Sequence, residues 1–308
     1  MRVLNFGSLN IDYVYGVEHF VRKGETISSK SLQVYEGGKG LNQSIALSRA
    51  GAKVFHAGMI GTDGTWLDKL LKESGVDTRF IRISDTVRTG NAIIQNDSQG
   101  DNCIILYGGA NQAILREMID SVIDSFKEGE YLVLQNEINE IPYIVEKAHE
   151  RGMKIVLNPS PLNEKIFQIN LDYIDCFILN EVEAAGLLSE LSDEMSDEKM
   201  TEKTSETNIL LDFMQRRFPQ AEIILTLGEK GSLYVGKEGI KSQKAYQVKA
   251  VDTTAAGDTF TGYYLAGRIE GKPVQEALDL ASRASALAVT KKGAAPSIPL
   301  LSDVLSFK

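Results

Sequence analysis

The stretch YLVLQNEINEIPYIVEKAHERGMKIVLN, residues 131–158, decides the fold class of this chain. It begins and ends with short apolar runs, YLVLQ and KIVLN, and apolar residues recur at helical spacing over residues 140–151 between them. A continuous apolar run is typical of a strand that is covered on both faces, as occurs mainly in parallel sheets. The stretch therefore predicts a strand, a helix and a second strand parallel to the first.

The same alternation extends over most of the 308 residues. Further apolar runs are VLNFG (3–7), CFILN (176–180) and EIILTLG (222–228), and further helical patterns cover residues 113–127, 207–218 and 273–290. Alternating strands and helices predict an α/β fold with a doubly wound, mostly parallel sheet. Ligands of such sheets bind beyond the carboxyl ends of the strands.

Three segments depart from this alternation. Residues 11–36 and 88–108 have extended patterns rich in Tyr, Val, Thr and Ile. We predict that they form a small antiparallel β lid on a single domain of residues 1–308. Residues 189–208, SELSDEMSDEKMTEKTSETN, are polar and acidic, which predicts a solvated, mobile insertion.

Composition excludes several classes of function. The formal net charge of -9 and the pI near 5.1 argue against binding to nucleic acid or to anionic membranes, since both would repel the protein surface. The chain contains no apolar stretch of about 18 residues and does not start like a signal peptide, so we expect a soluble, cytoplasmic protein. Cys103 and Cys176 lie in apolar contexts without metal or redox spacing, and we expect both to be buried and inert.

The strongest indication of chemistry is AVDTTAAGDTFTGYYLAG, residues 250–267, where an extended stretch meets Ala255, Ala256 and Gly257 and then a helix. Small residues let backbone N–H groups converge on an anion at a helix N-terminus. Asp258 lies beside this predicted anion site, and a carboxylate there can accept a proton from an attacking hydroxyl. The alternative is that Asp258 simply caps the helix.

A second glycine cluster, EGGKGLNQ at residues 36–43, opens another predicted helix. Glycines allow close approach to a ligand, and Lys39 and Asn42 supply donors for the oxygens of a polyol or a phosphate. An ordinary loop before a helix is the alternative. The chain contains no GxxxxGK[ST] phosphate loop, so phosphate binding must come from other segments.

These motifs occur in a familiar order together with GSLNID (7–12), GAN (109–111), NPSP (158–161), NEVEA (180–184), TLGEKG (226–231) and VTKKGAAPSIP (289–299). From residue 2 to about residue 300, the chain resembles the PfkB family of carbohydrate kinases, and its ribose-phosphorylating members in particular. The resemblance implies transfer of the γ-phosphate of ATP to the terminal hydroxyl of D-ribose, giving ribose 5-phosphate. The alternatives are a PfkB kinase for fructose, ketodeoxygluconate or adenosine, and a sugar-binding protein without catalysis.

The resemblance also implies roles for individual residues. Asp258 is the expected catalytic base, and the amides of Ala255, Ala256, Gly257 and Asp258 are expected to stabilise the transferring phosphoryl group. The expected sugar-binding residues are Asn10, Asp12, Gly38, Lys39, Asn42, Glu137, Asp252 and Asp258. The expected nucleotide-binding residues are Asn180, Thr226, Gly228, Gly257 and Ser282. Ser282 is a departure, because the family commonly has His or Asn near the adenine.

Metal ions and a partner copy are implied in the same way. Glu183, with Asn180, matches the segment that orders Mg²⁺ near the triphosphate. The positions that match the loops around an activating K⁺ ion are Asp252, Thr254, Ala288, Lys291, Gly293 and Ser297. The lid is expected to pair with the lid of a second copy in a homodimer.

Overall fold

The computed structural model of the chain describes residues 1–99, 101–191 and 206–307. Most of the predicted acidic insertion, residues 192–205, lies outside the described residues. Residues 189–191 of the segment end one helix and residues 206–208 begin the next. Over the described ranges, no helix is long and apolar enough to cross a membrane.

The strands of the described residues form two sheets. They are β1 (Arg2–Phe6), β2 (Asn10–Gly16), β3 (Ser31–Gly37), β4 (Lys53–Gly61), β5 (Asp77–Ser84), β6 (Gly90–Asn96), β7 (Asn102–Tyr107), β8 (Tyr131–Gln135), β9 (Lys154–Asn158), β10 (Cys176–Asn180), β11 (Glu222–Thr226), β12 (Ser232–Gly236) and β13 (Gly239–Gln243). The large sheet has the order β13-β12-β11-β10-β9-β8-β1-β4-β5, and the small sheet has the order β3-β2-β6-β7. Within the large sheet, the β11–β12 and β12–β13 pairings are antiparallel, and the other neighbouring strands pair parallel.

Helices cover both faces of the large sheet. They are α1 (Lys39–Arg49), α2 (Thr65–Glu73), α3 (Arg116–Ile123), α4 (Ile141–Glu150), α5 (Glu181–Leu191), α6 (Glu206–Arg217), α7 (Ala256–Ile269), α8 (Val274–Ala288) and α9 (Leu301–Ser306). Helices α3 to α6 contribute to one apolar core, and α1, α2 and α7 to α9 contribute to the other. In β8, Leu132 and Leu134 belong to the first core and Val133 to the second, as period-two alternation requires. The predicted doubly wound α/β fold is confirmed.

The small sheet consists of the two segments that were predicted to form a lid. Its outer pairings, β2–β3 and β6–β7, are antiparallel, while the central β2–β6 pairing is parallel. The predicted burial of Cys103 is wrong, because β7 is an exposed edge strand; Cys176 in the large sheet is buried as predicted. The run NCIILY looked like a buried strand, but its apolar side chains lie on the surface of the small sheet.

Candidate active site

Polar side chains end five neighbouring strands on one face of the large sheet. Further back along the same strands this face is apolar, with Val3, Val133 and Val156 in the core. Side chains alternate with period two, so every second residue of a strand lies on this face. At the carboxyl end of each of the five strands, the last residue on this face is polar. These residues are Asn5, Gln135, Asn158, Asn180 and Thr226. The carboxyl edge of the sheet is therefore the polar edge, where the open-sheet rule places ligands.

Asp258 lies above this edge, in the first turn of α7. The N-cap of α7 is Ala255, in the left-handed conformation with a φ of 58°. The Asp258 carboxylate instead accepts hydrogen bonds from two side chains of α1, Asn42 Nδ2 at 3.0 Å and Gln43 Nε2 at 2.9 Å. The interpretation of Asp258 as a helix cap is therefore wrong: its carboxylate is buried against another helix.

The start of α7 borders a cavity of about 250 Å³. Ala255, Ala256, Gly257 and Asp258 line it together with Lys39 and Glu183. No atom would lie within 4 Å of a Cβ placed on Gly257, so the backbone at that position is open to a ligand. The amide of Ala256 already donates to the Thr253 carbonyl at 3.2 Å.

Apart from Asp252 and Asp258, the residues predicted to bind sugar lie where β2, α1 and the end of β8 meet. Glu137 accepts hydrogen bonds from the Ser8 hydroxyl and from the Lys39 backbone amide, the latter at 2.9 Å. Asn10 Oδ1 accepts from Asn111 Nδ2 at 2.7 Å. Gly38, with a φ of 97°, is the N-cap of α1, a backbone conformation that favours glycine.

The ionisable side chains in this region lie close enough to change each other's pKa. Burial raises the pKa of Asp12 to about 6, and repulsion from Glu137 and Glu36 adds to the effect. Burial also raises the pKa of Glu137, although its hydrogen bonds act in the opposite direction. For Lys39, burial disfavours the charged form, but the nearby carboxylates, first among them Asp258, outweigh it and raise the pKa of the ammonium. Lys39 is thus a half-buried cation held among acidic groups.

A second cavity, of about 450 Å³, adjoins the first. The residues predicted to bind nucleotide all line it: Asn180, Thr226, Gly228, Gly257 and Ser282. Asn180, Thr226 and Gly257 line both cavities. The joined space has the size of a small-molecule site and leads from an apolar-walled pocket to the carboxylate of Asp258.

Glu183, the predicted Mg²⁺ residue, is buried in the first turn of α5 and lines the first cavity. Its Oε2 accepts from the Asn180 backbone amide at 3.0 Å, and the Glu183 amide donates to Asn180 Oδ1 at 2.9 Å. This reciprocal pairing is a capping box, so both side chains also cap the N-terminus of α5. Within the described part of the chain, no group of three or more His, Cys, Asp or Glu side chains is arranged to bind a metal.

The residues predicted to surround K⁺ lie on two loops that contact each other. Asp252 Oδ1 accepts from the amide and the hydroxyl of Thr254, at 2.9 and 2.6 Å, and Oδ2 accepts from the Gly293 amide at 2.9 Å. Burial raises the pKa of Asp252, but these hydrogen bonds outweigh it and the net shift is downward. Lys291 donates its amide to the Ala288 carbonyl at 3.1 Å, and Ser297 is buried nearby in sequence. Among the described residues, the side chain of Asp252 thus hydrogen-bonds to the two loops predicted to surround K⁺ and not to the other predicted sugar-binding residues.

Several residues of the site were not predicted from the sequence. Ser8, Gln43, Asn111, Gln135 and Asn158 all contact predicted site residues or each other. Gln43 was present in the quoted motif EGGKGLNQ, next to Asn42, but nothing in the local pattern distinguished its buried side chain from an ordinary helical residue.

The fold, the paired cavities and the buried carboxylate at a helix N-terminus define a kinase of small hydroxylated molecules. Residues 2–301 match the pfkB family of carbohydrate kinases, and the chain belongs to this family. The ribokinase of Haemophilus influenzae is 34% identical to this chain, and the match covers 98% of this chain and 96% of that ribokinase. The ribokinase of Cryptococcus neoformans var. grubii serotype A, solved in complex with ADP, has 32% identity and a TM-score of 0.87, with 99% and 98% of the two chains covered. The ribokinase of Arabidopsis thaliana, solved with ribose and ATP, has 28% identity and a TM-score of 0.80, with 99% and 97% covered.

Proposed function

We propose that this carbohydrate kinase transfers the γ-phosphoryl group of ATP to the terminal hydroxyl of D-ribose, giving ribose 5-phosphate. Its similarity to ribokinases along nearly the whole chain supports the choice of ribose and ATP. The observation that carries the chemistry is the position of Asp258, which is buried and hydrogen-bonded beside the open backbone of Gly257.

In this proposal, Asp258 accepts the proton of the attacking hydroxyl. The negative charge of the transferring group is stabilised by backbone amides at the start of α7 and by the ammonium of Lys39. The amides of Ala255, Gly257 and Asp258 take the main part, since that of Ala256 already donates to Thr253. Catalysis then rests on positioning and charge stabilisation, because phosphoryl transfer needs little covalent assistance from the protein.

The sugar contacts are assigned to Asn10, Asp12, Gly38, Lys39, Asn42 and Glu137. Asn42 supports this assignment, because its Nδ2 donates to Asp258 while its buried Oδ1 has no hydrogen-bond partner among the residues that the structure describes. A hydroxyl of the sugar can donate to that oxygen. We assign the adenine and ribose of ATP to the second cavity, with Ser282 at the wall in place of the usual larger polar residue.

Two cations fit oxygen donors of the chain. Mg²⁺, which neutralises charge on the phosphates when it is bound, keeps several waters and needs few protein ligands. Glu183 suits it, since its carboxylate lines the same cavity as Asp258. The Asp252 carboxylate accepts three hydrogen bonds and has lone-pair capacity for about one more contact, and together with carbonyls of the adjoining loop it suits K⁺.

We further propose that the small sheet covers the sugar as a lid and pairs with its counterpart in a homodimer. Support comes from β7, where Ile104, Ile105 and Leu106 are 50%, 60% and 62% exposed. Apolar side chains on an edge strand favour association unless another surface covers them.

The test is ADP formation by the purified protein with ribose, deoxyribose, fructose, ketodeoxygluconate or adenosine as the acceptor. We expect the highest kcat/KM with ribose and a product phosphorylated at the terminal carbon. A higher kcat/KM for any other acceptor would reassign the substrate, and ADP release that is independent of every acceptor would refute the proposal.

A further inference from the structure

We infer that Gln43 is a positioning residue for Asp258 and that a directional chain of buried amides determines which end of Gln43 faces the carboxylate. This inference rests on the proposed function, because it assigns the base of the reaction to Asp258. Gln43 is completely buried and is not among the residues assigned to sugar, nucleotide or metal.

This series of hydrogen bonds begins at a backbone carbonyl oxygen, an atom that can only accept a hydrogen bond. The backbone carbonyl of Gly40 receives a hydrogen bond from Asn5 Nδ2 at 2.7 Å. The amide nitrogen of Asn5 is therefore directed toward α1, and its Oδ1 is left as an acceptor. Gln135 Nε2 donates to that oxygen at 3.0 Å.

The same Gln135 nitrogen donates to Gln43 Oε1 at 2.7 Å. Because Gln43 accepts with its oxygen on this side, its nitrogen points to Asp258 Oδ1, at 2.9 Å. The carbonyl of Gly40 thus fixes the direction of three successive side-chain amides, and a donor ends the chain at the carboxylate.

A second anchor requires the same orientation. Asn158 Nδ2 donates to the Ile178 carbonyl at 2.8 Å, so that Asn158 Oδ1 is the atom that receives Gln43 Nε2, at 3.1 Å. If the amide of Gln43 were flipped, its oxygen would face two acceptors and its nitrogen would face the donor of Gln135. Asn5, Gln43 and Gln135 are at most 1% exposed, so bulk water cannot compensate for such a mismatch.

The consequence concerns the geometry of the reaction. Gln43 holds Asp258 Oδ1, whereas Asn42 holds Oδ2 and also belongs to the proposed sugar contacts. Gln43 therefore fixes the carboxylate whether or not sugar is bound. Since a displacement of about 1 Å at a reacting group can lower the rate about 100-fold, loss of this contact should reduce kcat more than it changes sugar binding.

The test is a double-mutant cycle with Gln43→Met and Asp258→Ala, measured with the acceptor that gives the highest turnover. Gln43→Met removes the donor at similar volume and should lower kcat about 10- to 100-fold, with the sugar KM within about threefold. In the Asp258→Ala background the same change should lower kcat less than about twofold, because a residue that acts only through Asp258 has nothing left to position.

Gln135→Met tests the direction of the chain without touching Asp258. It removes the donor to Gln43 Oε1 and leaves Asn158 as the remaining anchor of the Gln43 amide, so kcat should fall about 3- to 10-fold, with coupling to Asp258 in the same sense. Ser44→Ala is the matched control: Ser44 is also buried and accepts from Asn5 Nδ2 at 2.7 Å, but its loss leaves the bond from Asn5 to Gly40 intact. Ser44→Ala should lower the melting temperature without changing kcat.

Equal losses of kcat from Gln43→Met in the two backgrounds, or wild-type kcat in that variant, would overturn the inference. If Gln43→Met does not fold, Gln135→Met decides, and an unchanged kcat there would equally overturn it. The acceptor panel reports on the proposed substrate separately, so a change of preferred sugar leaves the coupling between Gln43 and Asp258 measurable.

Discussion

Replacing Asp258 with asparagine removes the proposed base while preserving the shape of the side chain. Both carboxylate oxygens accept hydrogen bonds from amide nitrogens, Oδ1 from Gln43 and Oδ2 from Asn42. Asparagine offers one oxygen and one NH₂ group, so in either orientation one donor of α1 faces another donor. The substitution therefore has a catalytic effect and a separate effect on stability.

Each effect has an expected size. Loss of a general base typically lowers kcat about 10²- to 10⁴-fold, and we expect a loss within this range. An unpaired buried donor costs about 1–3 kcal/mol, and for a large domain each kcal/mol lowers the melting temperature by about 2–4 °C. The sugar dissociation constant should change less than about tenfold, because Asn10, Asp12 and Glu137 are unaltered.

The assay combines steady-state kinetics, sugar titration and thermal denaturation of Asp258→Asn. Asp303→Asn is the control, because Asp303 is the corresponding third residue of α9 and is exposed. The control should leave kcat unchanged and shift the melting temperature only slightly, since the charge interacts with a helix terminus in water. Near-normal kcat in Asp258→Asn would refute the assignment of the base and most of the proposed mechanism.

Four further predictions concern the anion site, the sugar site, the ion loops and the lid. Gly257→Ala should lower kcat at least about tenfold, because its Cβ occupies the open phosphate position. Its melting temperature should be equal or higher, since alanine favours the helix; wild-type kcat would contradict this. With the pKa of Asp12 near 6, ionised Asp12 should accept sugar hydroxyls, so the sugar dissociation constant should rise as the pH falls from 7 to 5 and by at most about tenfold per pH unit; a pH-independent titration would exclude this role. K⁺ should raise kcat above its value in Na⁺, and Na⁺ above that in tetramethylammonium, at matched ionic strength, through the loop of Asp252; equal rates would exclude a specific ion. Sedimentation at micromolar concentration should give a dimer that Ile105→Asp dissociates, whereas a wild-type monomer would contradict pairing of the lids.

The sequence by itself determined the fold class. Apolar runs such as YLVLQ and KIVLN, separated by one amphipathic helix, are compatible with few structures other than parallel strands covered on both faces. Their residue bounds agree with β8 and β9. Local patterns were reliable here because burial on both faces requires an apolar residue at nearly every position of a strand.

The edge strand β7 shows where this kind of inference fails. NCIILY is as apolar as the buried strands, yet all of its residues are exposed. Hydrophobicity alone does not distinguish an apolar strand inside the core from one on an outer surface. The pairing of β2 with β6 was also hidden, because about 80 residues separate the strands and no local signal encodes that contact.

The motifs in the sequence indicated Asp258, Lys39 and Gly257, since small residues before a helix and an adjacent carboxylate have a local chemical meaning. Only the tertiary structure showed that the carboxylate is bound by Asn42 and Gln43, more than 200 residues away in the chain. The direction of the amide in Gln43 depends on partners from three strands, and a buried hydrogen bond has a direction only when all of its partners are in place. The residue proposed as the base was thus indicated by the sequence, whereas the orientation of its carboxylate was decided by the packing of α1 against α7 over the polar edge of the sheet.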